Sequence, residues 1–249
     1  MDIIKSGNIY TNVKGIVVKE MRFSESGKII KLFTRDMGLI SVMAKGALNV
    51  KSPFRTLCML YSEINIKLFK GKNFFILCEG ENVNFNYNLQ NNLVALSFGN
   101  LVLEIFNKAV LEGIKNIKAY NLLSSYINCL NKDVNQMILV ISFLLKFNSF
   151  MGYTPLLILS DEDSLNLGFS HEEGGIVSKD KFICDFLLTK GEAVFLKNCL
   201  YLNFENCLKQ NIQNVNIKKL LNLSIEFSKY NFEINYLNSI KPLRLLKLL

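Results

Sequence analysis

The residues whose types and spacing could support chemistry are basic, and they are concentrated near the start of the chain. Residues 1–80 carry thirteen lysine and arginine residues against six acidic ones, a surplus of +7 in a chain of 249 residues whose net charge is +8. Such a concentration predicts a polyanionic partner for this third of the chain: nucleic acid first, a membrane surface second, with a basic face kept for solubility as the plain alternative. The candidate phosphate-binding residues are Lys19, Arg22, Lys28, Lys31 and Arg35 around the first predicted hairpin, Lys45, Lys51 and Arg55 in a longer loop, and Lys70 and Lys72 in a later turn.

Aromatic side chains are interleaved with these charges, at Phe23, Phe33, Phe54, Phe69, Phe74 and Phe75. A groove that combines cations with exposed rings binds single-stranded nucleic acid by neutralising phosphates and stacking on bases. Because strand side chains alternate between two faces, we expect at least half of these rings to lie in the core.

Catalytic groups are sparse by comparison. The one histidine, His171, lies in a charged loop, where we expect a surface side chain. A nearby acidic cluster would suit Mg²⁺ in a metal-dependent hydrolase, although a solvated loop is the favoured interpretation; its members are Asp161, Glu162, Asp163, Glu172 and Glu173. The chain lacks the motifs of phosphate loops, dinucleotide-binding turns, zinc proteases and serine hydrolases. We therefore predict a protein that is not an enzyme and holds no metal or other cofactor.

The elements that must position the basic residues are short strands. Segments rich in Ile, Val, Phe and Leu alternate with turn sequences such as Ser24–Gly27 and Arg35–Gly38. The predicted strands cover residues 13–19, 28–34, 39–44, 59–69 and 74–79. Five short strands with a longer connection between the third and fourth favour a small, partly open OB-type barrel over residues 1–80, with an SH3-like barrel as the rival.

The pattern changes after Glu81, where an asparagine-rich connection leads into helical periodicity. We expect a helical domain over residues 81–155, in which Val134–Leu145 forms an almost continuous apolar face and Gly152 and Pro155 end the helix. A loop region over 156–185 and helices over 186–249 complete an α+β protein. The tail from Lys241 is either a short docking helix, the favoured alternative, or a partner-binding peptide.

Cysteine spacing and hydropathy restrict the remaining classes. The six cysteines include no C-x-x-C pair, so neither a zinc knuckle nor a disulfide framework is indicated, and we expect mostly buried thiols in a reducing compartment. The densest apolar run, Met137–Leu145, is too short for a bilayer span, which needs about 20 residues. The first residues lack the pattern of a secretion signal, so we expect a cytoplasmic, nucleoid-associated protein.

Several motifs occur in an order that matches one known family. Glu25–Ile29 fits E-S-x-K-I, Leu32–Gly38 fits L-F-T-R-x-x-G, and Ala44–Gly46 gives A-K-G. Further on, Gly152–Pro155 fits G-Y-x-P and Phe169–Gly175 fits F-S-x-x-x-G-G. Each motif is weak alone, but the combination spans the chain in the right order. The sequence resembles the RecO family of bacterial recombination mediators.

The resemblance implies an N-terminal OB fold, a helical middle and a zinc-finger-like loop region packed with C-terminal helices. It implies binding of single- and double-stranded DNA, annealing of complementary strands and, together with RecR, help in loading RecA on strands coated by the single-strand-binding protein SSB. The C-terminal tail of SSB is an implied partner, RecF and indirectly RecA are further candidates, and no membrane contact is implied. A generic OB-fold RNA-binding factor is the alternative function.

One departure from the family concerns zinc. Many members carry four cysteines around the G-Y-x-P and F-S-x-x-x-G-G motifs, whereas the matching positions here are Ser160, Asp163, Ser178 and Lys181. Without thiolates a tetrahedral structural zinc site is not expected. We predict a degenerate, cysteine-free loop region.

A second departure concerns the A-K-G motif, which is followed by Leu48, Asn49 and Val50 and not by a basic run. We therefore expect DNA affinity to depend more on the first hairpin and on Lys70 and Lys72. Charge reversal at Arg35 or Lys45 is predicted to weaken DNA binding without unfolding the protein.

Overall fold

The computed structural model of the chain describes residues 10–72, 74–84, 89, 91–158 and 166–249. The chain divides into two compact units: a barrel unit, residues 1–87 with 110–120, and a helical unit, residues 88–109 with 121–249. Residues 110–120, which the sequence placed in the helical domain, thus belong to the barrel unit. The expected boundaries at residues 155 and 185 stay predictions.

Five strands form a closed barrel in the order β1-β2-β3-β5-β4. The first half of β1 pairs with β4 and its second half with β2, and a bulge between Val17 and Lys19 interrupts the second ladder. This arrangement confirms the predicted OB-type barrel. The strands are β1 Tyr10–Arg22, β2 Lys28–Thr34, β3 Gly38–Ala44, β4 Glu63–Lys70 and β5 Phe75–Asn84.

The burial of apolar side chains explains why these segments form strands. Ile30 and Leu32 of β2 face the barrel interior, in the same apolar cluster as Val42 of β3 and Ile66 of β4. Burying each such side chain stabilises the fold by about 1.5–3 kcal/mol. The fourth strand begins four residues later than predicted, at Glu63, because a short helix, α1 (Phe54–Leu57), and a turn precede it.

A strap, residues 110–120, pairs with the start of β3. The pairing of β3 with β5 is confined to Val42 and Met43, so the start of β3 needs another partner. Gly113 donates its N–H to the carbonyl of Leu39 at 2.9 Å. Gly38 permits this approach, since its φ is +69° and a Cβ atom there would lie 2.2 Å from the carbonyl oxygen of Ile114.

Helices make up most of the rest of the chain. The predicted apolar helix over 134–145 is confirmed as part of α4, whose side chains are buried from Ile138 to Leu145. Asn135 caps its first turn, and Gly152 follows its last turn with φ +101°. The helices are α2 Leu93–Ala109, α3 Ile117–Leu130, α4 Gln136–Phe150, α5 Lys190–Tyr201, α6 Phe204–Leu208, α7 Ile217–Asn231 and α8 Ile240–Leu245. No helix of the described residues is long and apolar enough to cross a membrane.

The region expected to be a loop contributes β6 and β7 to a three-stranded sheet in the order β7-β6-β8, and the third strand lies at the start of the region expected to be helical. Its strands are β6 Leu167–Ser170, β7 Gly175–Ser178 and β8 Phe186–Leu188. The loop expectation was wrong here because Phe169 is fully buried against Phe227 of α7, with ring centroids 5.3 Å apart. This apolar anchor lies more than fifty residues from its partner in sequence, so no local pattern reveals it.

His171 is not the surface residue that its acidic neighbours suggested. Its side chain is 12% exposed, and Nδ1 lies 3.2 Å from the Asp185 carboxylate. Nε2 is buried without a hydrogen-bond partner among the described residues. Burial lowers the pKa of the imidazole, against the opposing effect of Asp185 and Glu226. The histidine packs among four rings, those of Phe169, Phe186, Phe227 and Tyr230.

The C-terminal segment docks on its own unit. Glu104 of α2 accepts hydrogen bonds from the backbone N–H groups of Asn238 and Ser239, at 2.9 and 2.8 Å, and from the Ser239 hydroxyl at 2.6 Å. Burial alone would raise the pKa of Glu104, but these bonds and the Lys108 ammonium outweigh it and lower the pKa. The docking-helix alternative for the tail is the one found in the structure, as α8.

Candidate nucleic-acid interface

Strand register brings three basic loops to one end of the barrel sheet. Lys28, at the start of β2, pairs with Ala44 at the end of β3. Val42 of β3 pairs with Phe75, the first residue of β5, and Phe75 pairs with Lys70 at the end of β4. The β1–β2 turn, the loop after β3 and the β4–β5 turn therefore share this end, which we call the basic rim (residues 22–28, 45–53 and 70–72).

The three loops of the rim follow the strand order. The β1–β2 turn borders β2 and the β4–β5 turn borders β5, and these two strands are the neighbours of β3. The loop after β3 lies between them, and its Leu48 N–H donates to the carbonyl of Ser26 at 2.9 Å. This bond fixes the loop against the tip of the first hairpin. The lysines of this loop therefore project from a backbone that is hydrogen-bonded to the barrel.

Eight of the ten predicted residues have exposed side chains and make no ion pair with a carboxylate of the described residues; Arg22 and Arg35 are two of them. Such cations keep their full charge for phosphate. Lys45 and Lys51 lie in the loop after β3, and Lys70 and Lys72 in the β4–β5 turn. Lys19 on β1 and Arg55 on α1 are the other two.

Three of the predicted residues, Arg22, Lys28 and Lys31, already make polar contacts within the barrel unit. Lys28 forms an ion pair with Glu20 at 2.5 Å. Arg22 donates to the carbonyl oxygens of its own hairpin, at Ser24 and Glu25. Such contacts must be broken or shared before a phosphate gains the cation.

Lys31 is tied to the strap. Its ammonium lies 2.9 Å from the carboxylate of Glu112, which also accepts a hydrogen bond from Ser41 at 3.3 Å. The bond from Lys31 is the main cause that lowers the pKa of the Glu112 carboxyl. This lysine holds the strap to the outer face of β2 and β3, a role that the sequence analysis did not foresee.

Arg35 does not lie at the first hairpin, where the sequence analysis grouped it. It follows β2 in the turn to β3, and its N–H donates to the carbonyl of Lys14 at 3.1 Å. The seven residues of β2 separate this turn from the rim, about 23 Å at strand rise. The next residue, Asp36, pairs with Lys115 of the strap at 3.0 Å. Arg35 is exposed, but at the opposite end of the sheet.

One of the six candidate rings is exposed to solvent. Phe23, at the tip of the first hairpin, is 56% exposed. Phe33 is fully buried and contacts the ring of Tyr120, and Phe69 packs on Tyr10. The remaining three rings are half-buried. Phe54 and Phe75 pack against the barrel core, and Phe74 is next to Phe75 in sequence. Phe23 is therefore the candidate ring for stacking on a base.

Lys14 and Lys67, which the sequence analysis did not select, line a shallow groove of about 720 Å³ on β1, β4 and β5. Both are paired with acids, Lys14 with Glu63 at 3.1 Å and Lys67 with Glu79 at 3.4 Å. Because acidic side chains share this groove, it suits a polyanion less well than the rim does.

The acidic cluster offers no assembled metal site in the part of the chain that the structure describes. No group of three or more His, Cys, Asp or Glu side chains is placed there to hold an ion. Ser178 ends β7 and Lys181 is exposed, while Ser160 and residues 161–163 lie outside the described residues.

Comparison with known proteins agrees with the motif order. The family description "Recombination protein O N terminal" matches residues 9–85, and "Recombination protein O C terminal" matches residues 90–240. A DNA repair protein RecO of Caldanaerobacter subterraneus is 30% identical over 176 residues, 69% of this chain and 71% of that protein. That of Alkaliphilus metalliredigens is 26% identical over 194 residues, 76% and 79% of the two chains. That of Acetivibrio thermocellus is 33% identical over 152 residues, 59% of each.

The rim predicts different effects at two exposed basic residues. Lys45→Glu is expected to weaken binding of a single-stranded oligonucleotide several-fold and to reduce the slope of log affinity against log salt by about 1, because one phosphate contact is lost. Arg35→Glu makes the same charge change at the far end and is expected to bind as the unaltered protein does. Fluorescence anisotropy across a salt series measures both. Equal losses in the two variants would place binding away from the rim.

Stacking at the hairpin tip is tested separately. Phe23→Ala is expected to reduce single-strand affinity by about 1–3 kcal/mol, the value of one base–aromatic stack, whereas Phe23→Tyr keeps the ring and the affinity. Tyr201→Ala removes a ring that is 68% exposed and lies on α5 in the helical unit, and serves as the matched control. Isothermal titration with an oligonucleotide compares the three. A loss with Tyr201→Ala but none with Phe23→Ala contradicts the assignment.

Proposed function

Because the chain belongs to the RecO family of DNA repair and recombination proteins, we propose that it binds single- and double-stranded DNA on the basic rim and anneals complementary strands. With RecR it assists the loading of RecA on DNA coated by SSB. The observation that carries the binding step is the set of exposed, unpaired cations on loops that share one end of an OB barrel.

Annealing follows from electrostatics. Two complementary strands repel each other through their phosphates, and each carries a condensed layer of counterions. Lysines on the rim replace counterions on both strands, so two strands held on one surface meet at high local concentration. Phe23 at the hairpin tip favours an unstacked base that is ready to pair. These steps use binding energy alone and require no nucleotide hydrolysis.

We assign the contacts with protein partners from the chemistry that each contact requires. The C-terminal tail of SSB is acidic, and an acidic peptide is recognised by an apolar pocket with basic residues at its edge, where charge steers the encounter and burial holds the complex. We assign this contact to the helical unit, which leaves the barrel unit for DNA. RecR, and RecF where it is used, act with the complex that this chain forms on DNA.

Strand annealing without ATP is the direct test. Purified protein is expected to accelerate the pairing of complementary fluorescent DNA strands, both naked and coated with SSB from the same organism, and the acceleration is expected to fade as salt rises. The double variant Lys45→Glu with Lys72→Glu is expected to lose most of the acceleration, and Arg35→Glu to retain it.

The outcomes separate the alternatives. Annealing of naked but not of coated strands supports the DNA-binding step and rejects the SSB contact. Oligonucleotide binding with no annealing, together with preference for an RNA of the same sequence, overturns the proposal in favour of an OB-fold RNA-binding factor.

A further inference from the structure

Two cysteines that are eight positions apart meet inside the helical unit. Cys199 lies in the last turn of α5 and Cys207 in α6, and both are fully buried free thiols. Their sulfur atoms are 3.3 Å apart and hydrogen-bonded. The two short helices are joined by a tight corner at Leu202 and Asn203, which holds the sulfurs against each other. No sequence motif indicates this pair.

The pair has the distance that a disulfide needs. A sulfur–sulfur bond is about 2.05 Å long, so the two atoms have to approach by about 1.3 Å, well within the reach of side-chain rotation. The ring closed by such a bond contains only the α5–α6 corner. We propose that Cys199 and Cys207 form a reversible disulfide when the protein meets a small peroxide.

Polar groups around the pair favour a thiolate. The Lys146 ammonium contacts the Cys199 carbonyl and Ser142 Oγ. Gln210 Nε2 lies 3.3 Å from the Cys207 sulfur. The bond from Cys199, aided by Ser142, Lys146 and Gln210, lowers the pKa of Cys207 to about 7, while burial raises that of Cys199. This asymmetry assigns the roles: Cys207 attacks and Cys199 resolves.

Each step balances with peroxide as the oxidant. The Cys207 thiolate attacks one peroxide oxygen, the O–O bond breaks, and the departing hydroxide takes a proton to become water, leaving a sulfenic acid on Cys207. The Cys199 sulfur then attacks the Cys207 sulfur, the S–O bond breaks, and the hydroxyl leaves as water with the Cys199 proton. Two thiols lose two electrons in total, and one peroxide becomes two waters. A dithiol reductant reverses the change.

The surroundings of the pair explain why a peroxide is the fitting oxidant. Both sulfurs are fully buried, so a bulky disulfide reagent has no path to them, whereas the Lys146 and Gln210 side chains beside them are half-exposed. Cys58 is equally buried, but burial raises its pKa to about 12. It remains a neutral thiol and is the internal control for reactivity.

The chain allows a simple readout on the unaltered protein. Trypsin cleaves after Lys197 and Lys209 and releases Asn198–Lys209, a peptide that contains Cys199 and Cys207 and no other cysteine. After treatment with hydrogen peroxide and alkylation of remaining thiols, this peptide is expected to have lost two hydrogen atoms and to carry no alkyl group. Cleavage after Glu205 by a glutamate-specific protease is then expected to leave two fragments still joined, until dithiothreitol separates them.

Two measurements test the proposal further: the rate of disulfide formation in lysine variants and the oxidation products of the cysteines. Lys146→Met is expected to slow disulfide formation several-fold near neutral pH, since loss of the ammonium raises the Cys207 pKa and lowers the thiolate fraction. Lys132→Met, at an exposed lysine, is the control. Addition of oxygen to Cys199 or Cys207 without loss of two hydrogens overturns the proposal. So does a reduced pair at peroxide doses that oxidise Cys58. Since the pair lies in the helical unit, oligonucleotide binding is expected to be the same in both redox states.

Discussion

The arrangement of the barrel unit depends on a short stretch of parallel pairing between β3 and β5. Two residue pairs, Val42 with Phe75 and Met43 with Ile76, close five strands into a barrel. This pairing aligns the end of β3 with the β4–β5 turn, and the antiparallel ladder of β2 and β3 aligns both with the first hairpin. Because the contact is so short, the start of β3 needs the strap at Leu39, and Gly38 is required where the strap passes.

Ion pairing decides which basic residues remain available to a ligand. A count of lysines and arginines treats all ten candidates alike, but Lys28 and Lys31 neutralise Glu20 and Glu112, and these contacts stabilise the hairpin and the strap. The available charge is instead carried by loops after β3 and β4. Loops on a rigid barrel combine exposed charge with a fixed position, which is the usual place for a binding surface.

The sequence was sufficient for the features that local patterns encode. The apolar residues around Ile30 and Leu32 predict a strand. The continuous apolar stretch of α4 predicts a core helix, and Gly152 marks the end of that helix. The motif order from Glu25 to Gly175 indicated the family that the comparisons then showed. The DNA-binding residues themselves stay a prediction, since neither the fold nor the family assigns them.

What the sequence could not provide depends on contacts between distant residues. Glu112 meets Lys31 across 81 positions, and His171 is buried by rings of α7 that lie more than fifty residues away. Arg35 and Lys28 are seven positions apart and looked like neighbours on one hairpin, yet a whole strand separates them. Non-local pairing of this kind is set by the completed fold, so spacing along the chain does not report it.

The central claim is that DNA lies on the basic rim, and hydrogen–deuterium exchange with and without a single-stranded oligonucleotide tests it most directly. Binding at the rim is expected to slow exchange in peptides that cover residues 22–28, 45–53 and 70–72, with little change at residues 35–38. Protection confined to residues 35–38, or to the helical unit, would contradict it.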